Sequence, residues 1–414
     1  MRRLWRIVAA NPDLRLLLGA NLISLTGDWI LRTGLAYQVY VLTGSTLAAA
    51  GSVLASLLPQ IMLGSVAGVY ADRWDRRRTM VAANLLMLVA LLPLLAVRHA
   101  DQVWLVYLVI AVRSCLAPFF TAAEAALVPT LVPPDHLVTV NSLNAQVRDV
   151  ARLVGAAAGG VIVGFGGITV LSLVNMLTFA LAAGLIWRIR ARPGSVATMR
   201  PRLLRQWTEG IRVALSRRTL RVFLVFTAVT GVGEAIMGTL MAPFVHDVLG
   251  GSARAFGLIM AAQAVGGIVG GLVATLVAHR FTARKLFGWG AVLFGALDLV
   301  LFLYPLAVPA LWPAPLLIAI VGLPAAFMAA GGTTIFQNAT DDGHRGRVFG
   351  ATTAVNGAAM LLGTVAAGTL GDRLGILPVI ATQGVVYCLA GTVVLLALPR
   401  PAPVRPELAP AVPA

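Results

Sequence analysis

The chain is predicted to be an all-α integral membrane protein, with about twelve transmembrane helices in two six-helix bundles related by a pseudo-twofold axis. Three observations predict this. Of its 414 residues, 59% are hydrophobic and 12% charged, and the mean hydropathy is +0.88, a balance characteristic of polytopic membrane proteins. Apolar segments long enough to cross a bilayer follow one another along almost the whole chain. A burst of charge, Asp72-Arg73-Trp74-Asp75-Arg76-Arg77-Arg78, stands between two of them, where it must lie at a membrane surface.

Taken in order, the spans fall at about 14–41, 46–70, 79–97, 102–128, 139–164 and 168–187, then about 219–245, 253–278, 286–304, 312–337, 346–369 and 376–398. The second ends at the charge burst, and the sixth ends at the longest polar stretch, Arg188 to Arg218. The expected organisation is an N-terminal bundle over 1–187, a cytoplasmic linker over 188–218, a C-terminal bundle over 219–399 and a disordered Pro/Ala-rich tail over 400–414. Within the linker, the Arg-rich segment Leu203 to Leu215 suits an amphipathic helix on the membrane surface.

Basic residues set the expected orientation. With both termini inside, 25 of the 32 Lys and Arg lie in cytoplasmic segments, and only Arg98, Arg254 and Arg373 lie outside. The net charge of +16 is spread among loops in this way and is no nucleic-acid footprint. The start, Met1 to Arg6, leads into a helix with no small-residue cleavage site and reads as a retained cytoplasmic end. Cys115 and Cys388 lie far apart in apolar runs and read as core residues. The five histidines are scattered in or beside loops, so neither a metal site nor a cofactor is expected.

The halves repeat one another weakly. Gly27-Asp28 recurs as Gly233-Glu234 and Ala71-Asp72-Arg73 as Ala278-His279-Arg280, at offsets of 206 and 207 residues. A parallel repeat at half-length is what two related bundles leave in a sequence.

The run Gly68-Val69-Tyr70-Ala71-Asp72-Arg73-Trp74-Asp75-Arg76-Arg77-Arg78 resembles the loop between the second and third helices of the major facilitator superfamily, with Tyr70 and Asp75 replacing that pattern's Leu and second Gly. Gly155-Ala156-Ala157-Ala158-Gly159-Gly160 resembles the superfamily's antiporter motif, with Ala156 in place of Pro. Ser24 to Asp28, Leu42 to Ser45, and Phe119 to Pro129 preceded by Arg113, are similar to the branch that includes macrolide and enterobactin exporters. The resemblance implies that the charged loop is a conformational latch. Its Asp, here Asp72, would cap the eleventh span, and its Arg, here Arg76, would pair with Glu124 at the inner end of the fourth. Gly68 and Arg73 belong to the same latch, and Gly363 and Gly368 would offer the second span a smooth face. In the other half His279 stands where the Asp would be.

Ionisable residues inside spans are expensive, so each is a candidate site. Asp28 lies near the middle of the first span with Arg32 one turn on, close enough to pair. It is either a proton acceptor balanced between burial and a neighbouring cation, or one half of a static bridge. Glu234, its counterpart, has no charged neighbour one turn away and is either a second proton or cation site or a neutral acid bound to a neighbouring helix. Arg148, Asp149 and Arg152 cluster in the fifth span with Arg113 expected nearby. They would relay protonation, neutralise an anionic substrate, or tie two helices together. Asp298 is expected at a peripheral helix contact.

No phosphate-binding G-x-x-x-x-G-K-[ST] sequence is present, which excludes direct use of ATP through that motif. The reading is a secondary active exporter and not an enzyme: a proton-coupled antiporter of amphiphilic drugs or antibiotics in the inner or plasma membrane. It is expected to act as a monomer whose partners are protons, the lipid bilayer and a small amphiphilic substrate. The alternatives are export of a siderophore, secondary metabolite or lipid and, more remotely, a membrane receptor or intramembrane enzyme.

Overall fold

A computed structural model of the chain describes residues 11–71, 74–190 and 211–398. Asp72, Arg73, most of the 188–218 linker and the 400–414 tail lie outside the described residues.

The first helix, α1 (Pro12–Thr43), starts because the Asn11 side chain accepts from Leu14 N–H at 3.0 Å, with proline at the first position. It stops at Gly44, whose φ of 63° ends the helix in the left-handed region. The next helix is α2 (Thr46–Ala71). The third, α3 (Arg76–Ala90), begins before the expected 79 because Asp75 accepts from Arg78 N–H at 2.8 Å, and it runs on through a 3-10 turn to Ala96. It is followed by α4 (Val103–Leu131).

The 51-residue element Leu137–Trp187 would be about 75 Å long if straight, far more than a bilayer accepts. It is broken at Gly166 and Gly167, the latter with φ of 57°, into two limbs, α5 and α6. Packing against α1 shows that the chain reverses there. Gly155 and Gly159 lie against Thr26 and Ile30, whereas the later Leu171, Asn175 and Leu185 lie against Gly34, Gly27 and Gly19 in descending order.

The second half contains α7 (Arg218–Pro243), α8 (Ala253–Val277), α9 (Ala283–Leu303), α10 (Pro313–Ala339), α11 (Asp342–Leu374) and α12 (Ile376–Ala397). Ten stretches among the described residues are long and apolar enough to span a membrane. One is the double-length α5–α6, and α2 adds a shorter apolar stretch.

The helices pair identically in the two halves. α1 packs on α5 and α6, α2 on α4, and α3 on α4 and α6; α7, α8 and α9 repeat these contacts six helices later. Between halves, α5 packs on α8 and α11 on α2, each the image of the other. This is the expected pseudo-twofold relation between two six-helix bundles. The near end is the one where α1 begins and α12 ends; the far end carries the α1–α2 turn.

Candidate functional site

Four clusters matter, and the first is on α1. Asp28 pairs with Arg113 of α4, and the Arg113 guanidinium lies 5.4 Å from the centre of the Phe179 ring on α6. Gly27 makes room for this arrangement, since a side chain there would collide with Asn175 and Thr178. Arg113, not Arg32, makes the ion pair with Asp28, while Arg32 stays close enough for its charge to act on the carboxylate. Arg32 is exposed and turns its guanidinium over the Trp29 ring at 5.0 Å. The i, i+4 spacing allowed a pair, but the long arm of Arg113 reaches the carboxylate from a neighbouring helix and also gains an aromatic face. Arg113 thereby leaves the Arg148–Asp149–Arg152 group in which the sequence placed it.

Glu124 of α4 is the second centre. It is buried and accepts from Asn21 at 2.8 Å, from Asn144, and from Arg148 at 3.1 Å. Asn21 also donates to Asn144 at 3.1 Å, which closes a network across α1, α4 and α5. Arg148, not Arg76, is therefore the cation on Glu124 among the described residues. Arg76 is buried at the first turn of α3, fixed there by the Asp75 cap. The latch proper, Asp72 and Arg73, lies outside the described residues, and Gly68 lies within α2. Asp149 and Arg152 pair at 3.5 Å as their spacing suggests, both largely exposed. Glu234 is exposed on α7 and forms no ion pair among the described residues. Asp298 is buried where α9 meets α12, with neither carboxylate oxygen hydrogen-bonded.

The third feature is a cavity of about 780 Å³ at the near end of the second bundle. Phe223, Phe226 and Thr227 of α7, Phe287 of α9, Met328, Thr333, Phe336 and Gln337 of α10, and Phe349, Thr352, Thr353 and Asn356 of α11 line it. The rings interlock: Phe226 and Phe287 are 4.5 Å apart, Phe223 and Phe336 5.5 Å, Phe336 and Phe349 6.2 Å. Phe349 is 63% exposed, so the cavity is open on that side.

The fourth is the far-end closure between bundles. Asp372 of α11 accepts from Thr46 N–H at 2.7 Å, Leu47 N–H at 3.3 Å, Thr46 Oγ1 at 2.7 Å and Ser45 Oγ at 2.9 Å, and so caps α2 from the opposite bundle. Tyr40 donates to Asp247, which is 2.6 Å from His246 Nδ1, and Tyr37 donates to Gly251 O at 3.0 Å. Below this, α5 and α8 touch backbone to backbone: a Cβ on Gly257 would lie 2.7 Å from Gly160 Cα. Gly155 and Gly159 seat α5 on α1. Gly368 seats α11 on Leu47 and Ala50 of α2, as expected, while Gly363 packs on Val232 and Ala235 of α7 instead.

Sequence reasoning missed Asn21, Asn144, the phenylalanine cluster and Asp372. A signal for Asp372 exists: Gly68-x-x-Ala71-Asp72-Arg73 at the end of α2 recurs as Gly368-x-x-Gly371-Asp372-Arg373 at the end of α11. A search for repeats at half-length does not find it, because it relates helices two and eleven.

Known proteins place this arrangement. Macrolide efflux protein A of Streptococcus pyogenes is 24% identical over 86% of this chain and 88% of its own. The multidrug efflux pump Tap of Mycobacterium bovis is 28% identical over 87% of each. The crystal structure of a bacterial homologue of the iron transporter ferroportin in its inward-facing state superposes with a TM-score of 0.72, covering 92% of this chain and 98% of that one at 16% identity. Residues 10–408 match the transmembrane secretion effector family, and the chain belongs to that family of multi-pass transporters within the major facilitator superfamily.

Proposed function

We propose that the protein is an efflux transporter that exchanges protons for an amphiphilic small molecule by alternating access. The observation that carries this is the Asp28–Arg113 pair in the middle of a spanning helix, with its carboxyl side chain still 31% accessible. A pair that is partly accessible can be opened by a proton on Asp28, which would free Arg113 to move. The far end is held shut by the Asp372 cap and the Gly160–Gly257 contact, while the near end carries an open cavity. If the arginine-rich near end is cytoplasmic, this is the state that takes up substrate from inside the cell. The chain would act as a single copy in the cell membrane, its two bundles (1–187 and 219–399) rocking about the α5–α8 and α2–α11 contacts. The relatives named for macrolide and multidrug efflux support the direction of transport and the substrate class.

Three of the arginines that would serve an anionic siderophore or metabolite already have carboxylate partners, Arg113 on Asp28, Arg148 on Glu124 and Arg152 on Asp149. This favours a drug-like amphiphile. The test is drug accumulation in exporter-deficient cells with and without the protein, before and after a protonophore. Lowered accumulation that the protonophore restores supports the reading; accumulation unaffected by the protein sinks it.

A further inference from the structure

The repeat places the same depth of both bundles side by side. At the offset of 206 residues Asn21 and Glu124 fall on Thr227 and Ala330, and at the offset of 208 given by the matching seats of Gly155 on α1 and Gly363 on α7, Asn144 and Arg148 fall on Thr352 and Asn356. In the first bundle that depth is filled by the hydrogen-bonded network around Glu124. In the second, the two charged side chains are replaced by neutral ones, Ala330 and Asn356, and the aromatic cavity occupies the space. One bundle has its interior occupied by its own side chains; the other leaves room.

We infer that this cavity is a binding subsite for the uncharged, ring-bearing part of the transported molecule, reached from the near end before the molecule meets Asp28 and Glu234. The inference rests on the exporter reading for what the ligand is, but not for where it binds. The cavity is of the size that holds a drug-like molecule. Among the described residues no charged side chain lines it, so an ammonium or a carboxylate finds no partner in the described wall, and burying one unpaired is costly. The rings offer flat apolar faces to a ring system.

The polar part of the wall narrows the chemistry further. Thr352 and Thr353 commit their hydroxyl protons to the carbonyls of Val348 and Phe349, at 2.8 and 2.9 Å. Their oxygens keep a free lone pair, so they can accept from a ligand but not donate to it. Gln337 and Asn356 add side-chain amides, which both donate and accept, so the ligand part held here is an apolar frame bearing neutral hydrogen-bonding groups. An acyl chain fits the rings but makes no use of these acceptors.

The test uses the purified full-length protein in nanodiscs, with N-phenyl-1-naphthylamine as an uncharged aromatic probe bearing one N–H. Fluorescence enhancement should report saturable binding, and tetraphenylphosphonium, equally aromatic but cationic, should compete at least tenfold more weakly. Thr333→Trp should fill the cavity and weaken the probe at least tenfold, while Thr333→Val should change it less than threefold. Elution profile and Tm verify folding, and if Thr333→Trp fails them, Thr353→Trp fills the cavity from α11 instead. Unchanged probe affinity in a folded, filled variant overturns the proposal. So does phospholipid that co-purifies with wild-type protein, is lost on filling, and is never displaced by the probe. The cellular accumulation assay separates the two claims. Wild-type export with normal probe binding and export in the filled variants removes the subsite and leaves the exporter, whereas probe binding without export does the reverse.

Discussion

The two bundles share one helix arrangement and differ in what fills it. The first is a polar interior: Asp28 on Arg113, and Glu124 held by Asn21, Asn144 and Arg148. The second has interlocked rings around open space, with Glu234 and Asp298 as acids lacking ion-pair partners among the described residues. A repeat constrains backbone packing, because glycines and apolar faces must match wherever helices touch. It does not constrain the cavity-facing positions, which were free to diverge toward charge on one side and toward aromatic surface on the other. On the proposed function, the difference amounts to a division of labour, with proton handling in the first bundle and recognition of apolar substrate in the second.

The hardest way to break that division is to neutralise Asp28. Asp28→Asn should abolish uphill, gradient-driven transport in proteoliposomes, because an amide has the shape of the protonated acid but no proton to release. Exchange without a gradient should persist. If Asp28→Asn still concentrates substrate, proton handling is not confined to the first bundle, and Glu234 becomes the group to test.

Glu124 comes next. Replacing it with Ala leaves Asn21 and Asn144 buried without their acceptor and Arg148 without its counter-charge. Removing one partner of a fully buried pair costs about 3–5 kcal/mol. Arg148 is half exposed and can turn to water, so the expected loss is about 2–3 kcal/mol. Thermal unfolding of the purified protein measures it. Ala330→Glu, the corresponding change in the second bundle, should reduce binding of uncharged ligands instead, since it brings a charge to the edge of the cavity. Equal effects of the two substitutions on stability and binding would erase the distinction between the bundles.

A smaller effect is expected where the bundles meet. Asp372→Ala removes a side-chain cap from α2, worth about 1–2 kcal/mol. It acts only while the far end is closed, so the equilibrium should shift about 5- to 30-fold toward far-end opening. Spin labels on the far ends of α2 and α11 would show longer distances in the variant. Unchanged distances would mean that the Gly160–Gly257 contact holds the closure by itself.

The sequence carried the helical count, the reversal near 166 and the candidate acids, because apolar length and charge inside a span are local signals. It did not carry the partners. Asp28 and Arg32 are one turn apart, yet the carboxylate is met by Arg113 from 85 positions away. Arg76 and Glu124 were linked by resemblance, whereas Arg148 reaches Glu124 across α4 and α5. Neutral groups were harder still. Asn21 and Asn144 are buried polar side chains in apolar helices, a visible feature that a search restricted to formal charge passes over. The cavity has no signature along the chain, since its phenylalanines look like lipid-facing or core residues until four helices bring them together.

The smallest predicted effect tests that lesson about partners directly. If Arg32 were the counter-ion of Asp28, Arg32→Gln and Arg113→Gln would damage the protein alike. In the structure Arg113 holds the ion pair from a mostly buried position, whereas Arg32 is exposed and stacked on Trp29. An exposed cation–π contact is worth about 0.5–1 kcal/mol, so Arg32→Gln should lower stability by no more than that and leave most gradient-driven transport intact. Arg113→Gln should strand the Asp28 carboxylate and cost several times more. Double-mutant cycles with Asp28→Asn sharpen the contrast: strong coupling is expected for Arg113 and weaker coupling, without a direct ion pair, for Arg32. Comparable coupling at both positions would show that the two cations share the acid, making the proposed proton site a three-residue group instead of a pair.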